Sequence, residues 1–179
     1  MKKLLLLVIF VVSYSFAVAQ NNVTKFMGVS VDGTKAEMVK LLKTKGFNFL
    51  PDRDVLMGKY NGEDIILTIQ TKNDKVWRVF TCPIASTDES GIKVKFNKLY
   101  EQFSNDKKYV LHKGDKISSS EDISKGLDSK KKYEVYFIQK TDGSDKLDEK
   151  KLVWFMISRD RSNKYRMITV YDNGYNADK

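Results

Sequence analysis

"IILTIQTKNDKVWRVFT" (residues 65–81) lies without a gap on "VWFMISRDRSNKYRMIT" (residues 153–169). Ile65, Leu67 and Ile69 fall on Val153, Phe155 and Ile157, and "WRVFT" falls on "YRMIT". Each stretch alternates along the chain, breaks at a polar turn and resumes, as a hairpin with one buried face does. Identities are few, but the order of elements around the two hairpins is also shared. That order predicts a degenerate tandem repeat.

Outward from the first hairpin, Asn61-Gly62 joins "VLMGKY" to "EDIILTIQ". Both residues tolerate positive φ, which makes this pair the strongest short signal for a two-residue hairpin turn. "FNFL" precedes it as a short strand, "PDRD" as a turn, and Pro83 ends the last strand by removing a ladder donor. Ahead of these strands stands "DGTKAEMVKLLKTKGF", residues 32–47. Thr34 and Glu37 form a capping box, Met38, Leu41 and Leu42 recur on one helical face, and Gly46 suits the left-handed position past the helix end. The first unit is therefore a helix followed by a four-stranded antiparallel meander.

The second unit repeats the order. Ser86 and Glu89 offer another capping box, and Ile92, Phe96, Leu99, Tyr100 and Phe103 follow at helical spacing. Strands are expected at "KKYVLH", "KKYEVYFIQK", "LVWFMISR" and "KYRMITVYD". Two longer loops, "HKGDKISSSEDISKGLDSK" and "TDGSDKLDEK", extend this copy. The expected fold is α+β, a tandem repeat of one helix plus a four-stranded antiparallel meander, with one face of each sheet covered by helix. Residues 20–84 form the first unit and 85–179 the second.

Residues 1–19 read as a secretory leader, with Lys2 and Lys3, an apolar run from Leu4 to Val12, and small residues before Gln20. The run is short for a membrane span. Cleavage before Gln20 would leave a periplasmic or extracellular chain of roughly 160 residues without a membrane span, enough for its own core. The net charge is +9, or +7 without Lys2 and Lys3, which favours anionic surfaces. Nucleic acid is a poor partner for an exported chain.

Enzyme chemistry finds little support. Cys82 is the single cysteine and His112 the single histidine, so an internal disulfide is excluded. No local signature joins the two as a dyad. Ser90 and Lys93 match S-x-x-K without the companion motifs that chemistry needs. Asp142, Asp145, Asp148 and Glu149 lack the spacing of a calcium loop. No phosphate loop or His/Cys metal cluster occurs, and no cofactor is implied.

The open face of the sheet is the candidate site. The Ile65 and Val153 sets are uniformly apolar and are assigned to the helix side. The alternate set is Ile66, Thr68 and Gln70, with Trp154, Met156 and Ser158. Arg78 and Arg166 occupy matching places and join that side, because an unpaired buried guanidinium is costly. Tyr136 is a neighbour. Trp154, Met156, Arg78, Arg166 and Tyr136 together have the composition of an interface.

The two-unit layout resembles the β-lactamase-inhibitor-protein fold. The "GTKAEMVKLL" helix is similar to that of small outer-membrane-assembly lipoproteins. "YDNGYN" and the "AQ" boundary resemble exported proteins of Bacteroidetes type. The chain departs from the inhibitor family in lacking disulfide cysteines and in having one strong helix per unit, and no functional residue carries over. A shared fold does not imply a shared function; the N-terminus and the composition of the open face lead instead to the expectation of an exported, non-enzymatic, inhibitor-like module whose partner is another protein. The alternative is an envelope or extracellular enzyme or binder acting on an anionic glycan or small ligand.

Overall fold

The computed structural model describes residues 23–141 and 146–177. The expected leader and the cleavage expected before Gln20, and Asp142 and Asp145 of the acidic loop, lie outside the described residues.

A small hairpin, β1 (Lys25–Phe26) and β2 (Val29–Ser30), opens the fold. Helix α1 (Lys35–Thr44) follows, then β3 (Asn48–Leu50), β4 (Val55–Tyr60), β5 (Glu63–Lys72) and β6 (Lys75–Pro83). Next come α2 (Glu89–Asn105), β7 (Tyr109–Lys113), α3 (Ile123–Asp128), β8 (Glu134–Gln139), β9 (Leu152–Arg159), β10 (Tyr165–Asp172) and α4 (Gly174–Ala177). The class is α+β. Strands β3–β10 form one eight-stranded antiparallel sheet in the order β3-β4-β5-β6-β10-β9-β8-β7.

Helix α1 begins and ends where its sequence signals stand. Thr34 and Glu37 close the capping box. At the other end Gly46 has φ +91°, its N–H donates to the Lys43 carbonyl, and Phe47 N–H donates to the Leu42 carbonyl. That pair of bonds satisfies two orphan carbonyls, and Phe47 and Leu42 are both buried beside them. The Asn61-Gly62 turn has φ of 50° and 81°, so both central residues are left-handed as a type I′ hairpin requires.

The start of α2 corrects one expectation. Its N-cap is Asp88, whose carboxylate accepts the Gly91 N–H at 2.8 Å, and Ser86 takes no part in the cap. Thr87 exchanges two backbone bonds with Tyr165, which holds residue 87 extended and delays the helix to the next residue. Glu89 is thereby released from a capping box. Its carboxylate instead accepts the N–H groups of Ile123 and Ser124 at the start of α3.

Helix α3 is itself a departure from the sequence pattern, which marks residues 112–130 as a loop. Asp122 caps it and Ile123 is fully buried. The Asn97 amide pairs with both backbone groups of Ile117, fixing the preceding segment. The β1–β2 hairpin and α4 were also not foreseen. Phe26 fills the space between Phe47, Tyr60 and Tyr171, with ring centroids 6.2, 5.1 and 5.0 Å away. Asn173 and Asn176, from "YDNGYN", donate to the Val31 carbonyl and the Asp32 carboxylate and tie the two ends of the described chain together, and Asn176 also donates to the Val76 carbonyl of β6.

The core lies on the helix side of the sheet. Ile65, Leu67 and Ile69 on β5, and Val153, Phe155 and Ile157 on β9, are buried, as the alternation requires. Phe96 and Phe103 of α2 pack on Phe155 at 5.0 and 6.0 Å, and Phe103 stacks on Phe137 at 5.3 Å.

Candidate functional site

The alternate residues point to the other face, and each is partly exposed: Ile66, Thr68 and Gln70 on β5, Trp154, Met156 and Ser158 on β9. Arg78, Arg166 and Tyr136 share that partial exposure. At the centre of this face four strands, β6, β10, β9 and β8, bring six side chains into one strip.

Asp172 is its pivot. It sits directly across from Arg78 in the β6–β10 pairing. Its carboxylate accepts two bonds from that guanidinium, from Nε at 2.6 Å and Nη2 at 2.8 Å, and a third from Trp154 Nε1 at 2.9 Å. The fork geometry of guanidinium on carboxylate fixes both partners in orientation as well as charge. Arg78 lies over the Trp77 ring at 4.2 Å and near the Trp154 ring at 5.6 Å, so one cation touches two indoles. Trp154 is opposite Tyr136 across β8–β9 and stacks on it, with centroids 5.4 Å apart and planes inclined by 20°. Tyr136 in turn donates its hydroxyl to Glu134 at 2.8 Å. Burial, then the Glu134 carboxylate, pushes the Tyr136 hydroxyl up to about 12, so it stays a neutral donor at ordinary pH.

Trp77 reaches the strip through an irregularity. Between Gln70–Arg78 and Thr71–Val76 the register slips, leaving Trp77 as the extra residue of a β-bulge. A bulge inserts one unpaired residue and re-aims its neighbours. Val76 and Val79 can then both be buried while Trp77 and Arg78 both stay partly exposed.

Of the residues singled out from sequence, Arg78, Trp154 and Tyr136 come together. Met156 is the next residue on that face of β9, opposite Ile168. Arg166 shares the face but stands apart. It is opposite Ser158, six residues from Asp172 along β10, roughly 20 Å along the strand. Its Nη2 lies 3.4 Å from Asp160, and its Nε is buried without a hydrogen-bond partner among the described residues. Trp77 and Asp172 were not singled out. Asp172 becomes visible only when β6 pairs with β10, a contact between distant parts of the chain.

The catalytic candidates separate. Cys82 and His112 lie on β6 and β7, four places apart in the sheet, roughly 20 Å. Burial pushes the Cys82 thiol up despite the nearby Arg166 charge, the opposite of what an activated thiolate needs. Ser90 donates to Asp88 at 3.0 Å while Lys93 pairs with Glu89 at 3.0 Å, so the S-x-x-K residues engage different partners. Among the described residues no group of His, Cys, Asp and Glu could hold a metal ion, and no helix is long and apolar enough to cross a membrane. Comparison with protein-family models, curated proteins and solved structures gives no match for this chain.

Proposed function

We propose that this chain is an exported, non-enzymatic module that binds another protein through the open sheet face, with Trp154 at the centre of the contact. The carrying observation is the strip Trp77–Arg78–Trp154–Tyr136, partly exposed and held in place by Asp172 and Glu134. Trp, Tyr and Arg dominate binding hot spots. Here their rotamers are already fixed in the free protein, which lowers the entropy lost on association. The apolar run and small-residue boundary of residues 1–19 support export.

The tandem repeat belongs to the same proposal, as does the likeness to the β-lactamase-inhibitor-protein fold. The register supports it. Ile69 faces Val79 across β5–β6, and the aligned Ile157 faces Met167 across β9–β10. Leu67 faces Thr81, and the aligned Phe155 faces Thr169. Thr81 and Thr169, themselves equivalent in the alignment, pair with each other where the two halves meet. A local two-fold between two copies of one unit has this property.

The test is capture of a partner from the producing cell's envelope and medium by the wild-type protein and by Trp154→Ala. Removal of a hot-spot tryptophan costs about 2 kcal/mol or more, so capture should weaken by more than roughly tenfold while circular dichroism stays that of the wild type. Undiminished capture by a folded Trp154→Ala protein would move the contact off this face.

A further inference from the structure

On the opposite, helix side of the sheet lies a cavity of about 470 Å³, bounded by the β1–β2 hairpin, the end of β8 and the start of β7. Its size is within the range of small-molecule sites. Lys108 and Lys140 line it, and among the described lining residues the carboxylate is that of Asp106. That carboxylate already accepts the Lys108 backbone N–H at 2.9 Å. Lys108 and Lys140 are held side by side, because the Lys140 N–H donates to the Lys108 carbonyl at 2.8 Å.

Its uncharged polar side chains are three tyrosine hydroxyls and the Gln139 amide. Tyr109 accepts the Gln139 amide N–H at 3.1 Å, which leaves its own O–H proton without an acceptor among the described residues. Gln139 is fully committed. Its amide also pairs with both backbone groups of Lys25, at 2.6 and 3.1 Å, so it cannot swing round to take that proton. The Tyr60 and Tyr171 hydroxyls stand 2.5 Å apart, a pair that uses one of its two protons internally. Burial pushes the Tyr109 hydroxyl up to about 12 and raises Tyr60 and Tyr171 as well, so all three remain protonated donors.

We propose that this cavity binds a small organic anion of monosaccharide size, a sugar carboxylate or sugar phosphate, its charge met by Lys108 and Lys140 and its oxygen by the Tyr109 hydroxyl. Ammonium and phenol donors converging on one space suit an acceptor-only group, and charge-assisted bonds are the stronger kind. The site is independent of the open-face reading, since it lies across the sheet and shares no residue with the Trp154 strip.

The experiment is an amide chemical-shift titration of the full exported chain with glucuronate, glucose 6-phosphate, inorganic phosphate and glucose. At least one sugar anion should give saturable shifts at Gly28, Lys108, Gln139 and Lys140 below about 10 mM, with glucose giving none. Glucuronate against glucose 6-phosphate then distinguishes carboxylate from phosphate. Lys140→Gln and Tyr109→Phe should each weaken that binding at least tenfold. Tyr109→Phe keeps the ring that packs on Phe103 at 4.6 Å, and Lys140→Gln decides alone should Tyr109→Phe not fold. Absence of saturable shifts with both sugar anions, equal shifts with glucose, or undiminished binding by a folded Lys140→Gln variant would overturn the proposal. Saturation by inorganic phosphate as tight as by either sugar anion would reduce the site to a bare anion hole and overturn the assigned ligand class.

Discussion

Phe155 and Met156 are neighbours on β9 that separate the two faces of the sheet, so paired truncations test which face is core. Phe155 is fully buried, with the rings of Phe96, Phe103 and Phe137 centred 5.0, 6.0 and 6.2 Å away. Rings on three sides leave little room for collapse, so Phe155→Ala should open a cavity as well as lose transfer energy, about 3–5 kcal/mol together. Met156 is partly exposed on the other face. Full burial of such a side chain is worth about 1.5–3 kcal/mol, so Met156→Ala should cost about 1 kcal/mol. The same contrast should hold for Leu67→Ala, at about 2–5 kcal/mol, because Leu67 is Phe155's aligned counterpart and is as deeply buried. Urea unfolding followed by circular dichroism reads these values from the midpoint at constant slope. A small domain holds only about 5–15 kcal/mol in all, so the Phe155 loss would be plain. If Phe155→Ala cost less than about 1.5 kcal/mol, or Met156→Ala cost more than it, the assignment of faces would be wrong.

Asp172→Asn keeps an acceptor for Trp154 but removes the charge on Arg78. With the two side chains 27% and 13% exposed the ion pair is partly screened, so the loss should be about 1 kcal/mol, with a shift in Trp fluorescence as the visible sign. Tyr136→Phe should flatten part of the alkaline limb of stability. The folded Tyr136 titrates near 12 against an ordinary 10.0, so its contribution is complete below 10 and is lost as pH rises through 12. The difference in urea midpoint between wild type and variant should therefore shrink across that window, and a constant difference would refute the environment assigned to Tyr136. Melting should be unaffected by chelator or by reductant, because Cys82 is a free thiol and the Asp148 carboxylate is engaged by the Tyr175 hydroxyl. A fall of many degrees in chelator would reveal an ion site.

What the sequence made legible was local. The capping box of α1, the Asn61-Gly62 turn and the alternation along β5 and β9 are each set by residues within a few positions of one another, and the structure carries all three. The face of Trp154 followed from period alone. Three things were out of reach. The Trp77 bulge breaks the alternation in β6, and in "VWRVF" nothing but the burial of both Val76 and Val79 reveals it. The pairing of β6 with β10, which brings Asp172 to Arg78, joins residues whose sequence separation is 94, and no periodicity encodes it. Helix α3 is too short for a periodic signal and is held by Glu89, a residue on another helix. Ser86 misled for the opposite reason. It matched a local motif, but the Thr87–Tyr165 bridge moved the cap to Asp88.

Site-specific photo-cross-linking in the producing cell tests the open face most directly. A photoreactive residue at Thr68 or Ser158, on the strip side of the sheet, is compared with one at Val94, 67% exposed on α2. Thr68 and Ser158 should yield the same discrete protein adduct, Val94 should not, and Trp154→Ala should reduce the adduct by roughly tenfold or more. No discrete adduct from Thr68 and Ser158, or the same adduct at equal yield from Val94, would contradict a binding surface on this face.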